Sequence, residues 1–490
     1  MREALIVVLH KQGRDPLDVR SYRPLSLLNT DYKILGKILA NRLQRHITSL
    51  VHPDQNGFIP KRNTFLNTRR LLSILQAVSQ DVQVPVVVSL DIEKAFDTLG
   101  WRYLREVLKA MQFGPYYIKW INTIYNNPQA RVKTGHYISN SFNIHRGTRQ
   151  GCPLSPMIFA LAMEPLACAL RARGQQWGIM SYGIHNIISL YADDALIYLR
   201  DPYMSLPNLM TLLDSFGSIS GLKVNWSKSC VYPLRPTPVP LRIHENPSRL
   251  KWEYDTFKYL GIQVYHSETN LIEGNVYRTL RSTRGSLRFW ASLPLSPMGR
   301  ISICKMLILP RFLYYFSALP VLIPKKFFTD LHTLIGELIW GPGRHRIALS
   351  KLHAPIDRGG LAVPNFELYY AAAQLQWPTI WLADSTYPEH TQIASVLGPT
   401  KIYTWLSTNT RPRGTVPNML HTARVCWNRF VTTSKGTHLY SPLLPLAWVP
   451  AISEIWVVHD LTAWRDAGIE ELRDLYENGI LLSFQEITET

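Results

Sequence analysis

The chain has 490 residues, 46% of them hydrophobic and 18% charged, which is apolar material for roughly three packed domains and excludes disorder as the main state. Lys and Arg number 53 against 35 Asp and Glu, a formal charge of +18 that points to nucleic acid or an anionic membrane surface. The five cysteines are widely spaced with no CxxC pair, which excludes a disulfide scaffold and a cysteine-rich zinc site and fits a reducing, intracellular compartment.

In chain order, the pattern predicts a loop from residue 15. A helix over 31–47 follows, with Ile34, Leu35, Ile38, Leu39 and Leu43 on one face. A β-branched run over 85–90 reads as a strand that stops at Asp91. Helical periodicity covers 101–111, 116–125 and 155–170. Residues 187–199 read as two strands joined at Asp193-Asp194, and 256–264 as one further strand. After Glu273 the pattern turns mostly helical. The longest apolar stretch, 306–324, is interrupted by Pro310, Arg311 and Pro320, short of the about 20 clean residues a spanning helix needs. No membrane is therefore expected as a partner. Mixed strands and helices early, then helices alone, predict an α+β catalytic half followed by a helical nucleic-acid-binding half.

The charge is unevenly placed. Between Glu273 and Asp330 there is no acidic residue, while Arg278, Arg281, Arg284, Arg288, Arg300, Lys305, Arg311, Lys325 and Lys326 all fall inside. The first four are spaced 3, 3 and 4, along one helix face. A solvated face could look the same; the acid-free surroundings favour a phosphate backbone as its partner.

Three carboxylates carry the chemistry: Asp91 at a strand end, and Asp193 with Asp194 at a hairpin tip. Neighbouring carboxylates repel by about 4 kcal/mol per pair at 4 Å and an effective dielectric of 20, so fold stability gives no reason to gather them. Divalent cations with hard oxygen ligands reverse that argument. Consecutive strand residues face opposite ways, so only one of Asp193 and Asp194 need be a full ligand.

Six blocks occur in order: SYRPLSLLNTDYKILGKILANRL (21–43), SLDIEKAFD (89–97), RGTRQGCPLSPMIFALAMEPLA (146–167), SLYADDALIY (189–198), GLKVNWSKS (221–229) and FKYLGIQV (257–264). Together they closely resemble the reverse transcriptases of non-LTR (LINE-type) retrotransposons. A looser likeness continues through 296–320 and 358–377. The resemblance implies a right-hand polymerase fold: fingers and palm with an antiparallel sheet in 1–265, a basic helical thumb over 266–350, and a mostly helical C-terminal region over 351–490.

It also implies residue roles. Asp91, Asp193 and Asp194 match the catalytic aspartates that hold two Mg²⁺ ions, with the Ile92 carbonyl beside them. Phe96 matches the aromatic gate that leaves no room for a ribose 2′-hydroxyl. Gln150 and Gly151 would meet the nucleotide or template, the amide by hydrogen bonding and the glycine by close backbone approach. Arg23, and less directly Lys61 or Arg62, would meet the triphosphate. Lys228, with Lys223 as rival, matches the general acid for leaving pyrophosphate. The implied partners are an RNA template, a DNA primer and dNTPs, with the hybrid in a basic groove and Arg278, Arg281, Arg284 and Arg288 on its phosphates. A nuclear or cytoplasmic ribonucleoprotein is the expected location. No endonuclease-like segment precedes the first block, and Cys426 is the only cysteine of the final 100 residues. The chain therefore reads as the polymerase portion of such an element, the alternative being a catalytically inactive, nucleic-acid-binding remnant.

Overall fold

The structure, a computed structural model, describes residues 3–78, 84–237, 250–341, 347–383 and 416–433, with short stretches beyond 383. The chain divides into two units. The first holds Met1–Thr68, Val78–Met180 and His185–His266, and the second Arg69–Ala77, Ser181–Ile184 and Ser267–Thr490. Strands of the first unit are β1 (Glu3–His10), β2 (Tyr22–Leu27), β3 (Val86–Leu90), β4 (Gln129–Thr134), β5 (Tyr137–Ile138), β6 (Phe142–Asn143), β7 (Ile188–Tyr191), β8 (Asp194–Leu199), β9 (Cys230–Pro233), β10 (Lys251–Trp252), β11 (Phe257–Tyr259) and β12 (Ile262–Val264). Its principal helices are α1 (Thr30–Gln44), α2 (Ala95–Thr98), α3 (Trp101–Ala110), α4 (Pro115–Ile124), α5 (Ser155–Arg171) and α6 (Pro202–Ser220).

Val86, Val87 and Val88 are wholly buried, as a β-branched run without polar alternation requires of a strand covered on both faces. This strand, β3, is central in the sheet β10-β9-β3-β8-β7 and antiparallel to both β8 and β9. Helix α5 is buried on nearly every side, and Ile158, Phe159, Leu161 and Ala162 join β3 and β8 in one core. A second sheet runs β2-β1-β4, with β5 and β6 both laid along β4.

Two expectations change here. The buried face of α1 is Tyr32, Gly36, Leu39, Ala40 and Leu43, while Ile34 and Ile38 are exposed. The small Gly36 packs beside Cys152 and Pro153, so the helix approaches its neighbours on its narrow side and leaves the isoleucines out. Residues 256–264 are not one strand but the hairpin β11–β12, because Leu260 and Gly261 take left-handed backbone at φ 44° and 82°. A two-residue turn with both φ positive suits the right-handed twist of a hairpin.

The second unit contains α7 (Glu268–Ile272), a π-helical turn Glu273–Tyr277, and α8 (Arg278–Ser292). Next come α9 (Pro297–Ile303), a π-helical turn Cys304–Ile308 and α10 (Leu309–Ala318), then α11 (Lys325–Trp340), α12 (Phe366–Ala383) and α13 (Asn418–Thr433). Pro310 interrupts the apolar run but not the helix: it sits in the first turn of α10, just after the π turn, where a missing N–H costs little. The continuous helix Pro297–Ala318 is long and apolar enough to span a membrane by length and composition alone. Its Phe312 and Phe316 are instead fully buried, in an aromatic cluster with Phe327, Phe328, Phe366 and Tyr370. Most of the expected helical region over 351–490 lies outside the described residues.

Candidate active site

Asp91 leaves the end of β3, and residues 223–229 are laced onto it. The Glu93 N–H donates to the Lys223 carbonyl (2.8 Å), the Asn225 N–H to the Asp91 carbonyl (2.7 Å), and the Asp91 N–H to Ser229 Oγ (3.1 Å). Ile92 and Val224 form the antiparallel bridge these bonds enclose, which turns the N–H and C=O of Ile92 away from Val224. One carboxylate oxygen of Asp91 accepts from both Asn225 Nδ2 (3.0 Å) and Lys228 Nζ (3.3 Å). Asn225 and Ser229 were missed as site residues, although both sit inside the GLKVNWSKS block. Of the two rival lysines, Lys228 lines the cleft described below and Lys223 does not.

The carboxylate pair is held differently. Tyr191 pairs with Asp194 across β7 and β8, and Ala192 takes a left-handed φ of 58° at the tip. This is a costly conformation for a residue with a Cβ. Gln55, completely buried, brackets that strained residue. Its Oε1 accepts from the N–H groups of Gly57 (2.8 Å) and Ala192 (3.0 Å), while its Nε2 donates to the Ala192 carbonyl (3.4 Å). The Asn56 N–H and Asn67 Nδ2 both donate to the Leu190 carbonyl (2.8 and 2.9 Å). Position 57 must be glycine, since a Cβ there would lie 2.2 Å from the Ala192 nitrogen. Sequence reading gave Gln55 no role, because it lies far along the chain from the hairpin it holds.

Burial pushes both carboxyls of the pair above the usual range. Asp194 reaches about 6, with repulsion from Asp193 and Asp91 adding to its burial; Asp193 rises by burial and repulsion from Asp91, against its own backbone N–H and Lys228.

Asp91, Ile92, Asp193, Lys228, Phe96, Gln150 and Arg23 line one cleft of about 1240 Å³; Asp194 and Gly151 are not among its lining residues. Phe96, on α2, rests on Phe159 (ring centroids 4.9 Å apart) and Phe58 (6.2 Å), so it is both a core aromatic and part of the cleft wall. Gln150 Nε2 reaches toward Asp97 Oδ1 (3.4 Å), and its carbonyl accepts from the Ser26 N–H (3.1 Å). Gly151 has φ 104°, and a Cβ there would meet the Ser26 carbonyl at 2.7 Å. Its close approach is thus to β2 rather than to a ligand. Arg62 is a strut, donating to the carbonyls of Val51, His52 and Gln55, and neither it nor Lys61 lines the cleft. The same cleft is also lined by Lys11, Arg20, Arg23, Lys94 and Arg146. Lys11 is held below its usual value by desolvation and by Arg14, Lys228, Arg23 and Lys94, a cluster that an anionic ligand would relieve.

Among the described residues, no three His, Cys, Asp or Glu side chains stand close enough together to form a ready metal cage. The donor chemistry nonetheless fits a hard cation: burial and, besides it, the charge of Asp91 disfavour the ionised forms of both Asp193 and Asp194, and Ile92 lines the same cleft as Asp91 and Asp193.

In the second unit, Arg278, Arg281, Arg284 and Arg288 are all exposed on α8, whose buried residues are Leu280, Thr283 and Leu287. Arg281 pairs with Glu273 from the edge of the acid-free segment. Arg300 is engaged differently, its guanidinium donating to the carbonyls of Leu338 and Ile339 near the end of α11.

Carboxylates at the ends of two adjacent antiparallel strands thus share a cleft with basic residues and Phe96. Residues 9–264 match the family described as reverse transcriptase (RNA-dependent DNA polymerase), and the chain belongs to it. Its relatives are proteins of non-LTR retrotransposons. It is 28% identical to the transposon TX1 uncharacterized 149 kDa protein of Xenopus laevis over 401 residues, 80% of this chain and 30% of that one. It is 25% identical to the Pol polyprotein of the type-1 retrotransposable element R2 of Nasonia vitripennis over 367 residues, 72% and 34% of the two chains. The chain thus spans about a third of the length of these relatives. Among solved structures it is similar to telomerase of Candida tropicalis with a telomeric RNA fragment, at 11% identity and a TM-score of 0.41, covering 93% and 64% of the two chains.

Proposed function

We propose that the chain extends the 3′-hydroxyl of a DNA primer with deoxynucleotides on an RNA template, as the polymerase portion of a non-LTR retrotransposon protein. The observation that carries this reading is the convergence of Asp91, Asp193 and Lys228 in one cleft with Phe96, Gln150 and Arg23. Asp91, Asp193, Asp194 and the Ile92 carbonyl would hold two Mg²⁺ ions, whose chemistry is to activate the attacking hydroxyl and neutralise charge on the leaving oxygen. Lys228, poised on Asp91, supplies the proton that leaving pyrophosphate needs. Arg23 and the cations around Lys11 receive the triphosphate. The edge of Phe96 occupies the space of a 2′-hydroxyl, and its packing on Phe159 stops the ring from yielding. In this reading residues 1–265 act as fingers and palm and 266–350 as thumb. The arginines of α8 meet the hybrid's phosphates without reading bases, and the site of action is an intracellular ribonucleoprotein.

Primer extension by the purified chain on an RNA template, with dNTPs and Mg²⁺, tests the proposal. Extension that disappears in Asp91→Ala while hybrid affinity stays within a few-fold supports it. Hybrid binding with no extension by the parental chain would establish the inactive remnant instead.

A further inference from the structure

The β4–β5–β6 hairpin presents an exposed aromatic face beside the cleft that the proposed chemistry leaves unused. Val132 and Thr134 on β4 line the cleft, and residues two apart on a strand share a face. Tyr137 pairs with Thr134 and Phe142 with Ala130, and directly paired residues share a face too. Tyr137 and Phe142 therefore stand on the side of the sheet that looks into the cleft. Tyr137 is 82% exposed and Phe142 44%. Tyr137 lies at the tip of a two-stranded edge, where no ring contact holds it among the described residues.

The surroundings are positive. From Glu106 to Glu164 the sequence holds no acidic residue between the two. Lys133 and His136 flank the tip, both exposed, and Arg146 lines the cleft where the return strand re-enters it. An exposed ring on a hairpin whose own sequence carries basic but no acidic side chains matches the pattern of single-stranded nucleic-acid platforms, where bases stack on aromatics and the backbone follows basic residues. A duplex cannot use such a ring, because its base faces are already stacked on one another. Within a primed template, the unpaired strand next to the reacting end is the template not yet copied.

We propose that this hairpin is a stacking platform for the single-stranded RNA template ahead of the primer end, with Tyr137 under a base and Arg146, on the cleft side, beside the flanking phosphates. The proposal rests on the polymerase reading of the cleft but is tested without turnover.

Affinity is measured by fluorescence anisotropy for two RNA–DNA hybrids, one blunt and one with a 5′ single-stranded template overhang, with no dNTP present. The parental chain should prefer the overhang hybrid. Tyr137→Ala should weaken overhang binding about five- to tenfold, as expected for one lost base–aromatic stack, and leave blunt binding unchanged. Tyr137→Trp should restore the preference, and Arg146→Gln should make the salt dependence on the overhang hybrid shallower. Position 137 is exposed, so folding should be unaffected, and matched melting curves check this. An equal loss on both hybrids, or no loss on either, overturns the proposal. A shift in sedimentation of the free protein on Tyr137→Ala without a change in overhang affinity would assign the face to contact between copies and overturn it too. If overhang discrimination holds while the parental chain extends no primer, the polymerase reading fails and the platform stands. Extension that proceeds with no overhang preference gives the reverse result.

Discussion

The two halves of the carboxylate site are built on opposite principles. Asp91 is met by charge and hydrogen bonds on its own carboxylate, from Lys228 and Asn225, and its backbone is stitched to 223–229. Asp193 and Asp194 are positioned through their neighbours' backbone instead: Gln55 grips Ala192, while Asn56 and Asn67 hold Leu190. Burial and repulsion from neighbouring carboxylates raise both of their carboxyls, against a weaker pull from Lys228. The protein thus places its counter-charge in direct contact with one half and fixes the other through backbone geometry. A hairpin whose charge is disfavoured but whose backbone is fixed is suited to receive a cation from solution.

That contrast can be broken from either side. The largest effect should come from the carboxylates themselves. Asp193→Ala or Asp91→Ala should lower single-nucleotide addition by about a thousandfold or more, since metal-ligand loss removes several kcal/mol of transition-state stabilisation. Hybrid affinity, read in the same experiment, should change little. Lys228→Gln keeps a hydrogen bond to Asp91 within reach but has no proton to give at that position. Its rate should fall by about a hundredfold, the lower end for losing a general acid, and the loss should be smaller at low pH. A loss independent of pH would reduce Lys228 to a partner of Asp91.

Gln55→Leu tests the geometric half. It leaves the carboxylates intact but orphans the Ala192 peptide and the Gly57 N–H, a cost of about 1–3 kcal/mol for each buried group left unsatisfied. Addition should slow by about tenfold and need more Mg²⁺ for half-maximal rate, with the KM for dNTP unchanged. A change confined to melting temperature would make Gln55 a structural residue only.

The smallest effect concerns stability. Asp194 titrates in the folded chain at about 6 against an ordinary 3.8, so its ionised form is disfavoured by folding. The penalty is fully present above pH 6 and is relieved as pH falls toward 4. Asp194→Asn should therefore stabilise the metal-free protein above pH 6 by on the order of 1–3 kcal/mol, and the gain should vanish near pH 4. Urea melts across that range measure it.

Legibility in the sequence follows the same division. Asp91 could be placed because the valine run of β3 ends abruptly, and Asp193-Asp194 because strand patterns flank them on both sides. Gln55 and Asn67 could not, since their partners lie more than 120 residues away and a buried amide carries no periodic signature. The exposed Ile34 and Ile38 show the limit of apolar spacing: packing chose the side of α1 carrying Gly36 and Ala40. The hairpin at Leu260-Gly261 was hidden by strand formers on both sides. The acid-free stretch from Glu106 to Glu164 was readable as directly as the one after Glu273, but its strands are short and offer no helical stripe to draw attention to it.

In the proposed function the Asp193–Asp194 hairpin is a preformed anionic seat for a divalent cation. Thermal unfolding at neutral pH, with and without Mg²⁺ at about ten times its Kd, tests this most directly. The parental chain should be stabilised by about 1.4 kcal/mol at that excess, and the gain should be lost in Asp193→Asn, which retains shape without charge. An equal Mg²⁺-dependent gain in parental chain and variant, or none in the parental chain, would contradict it.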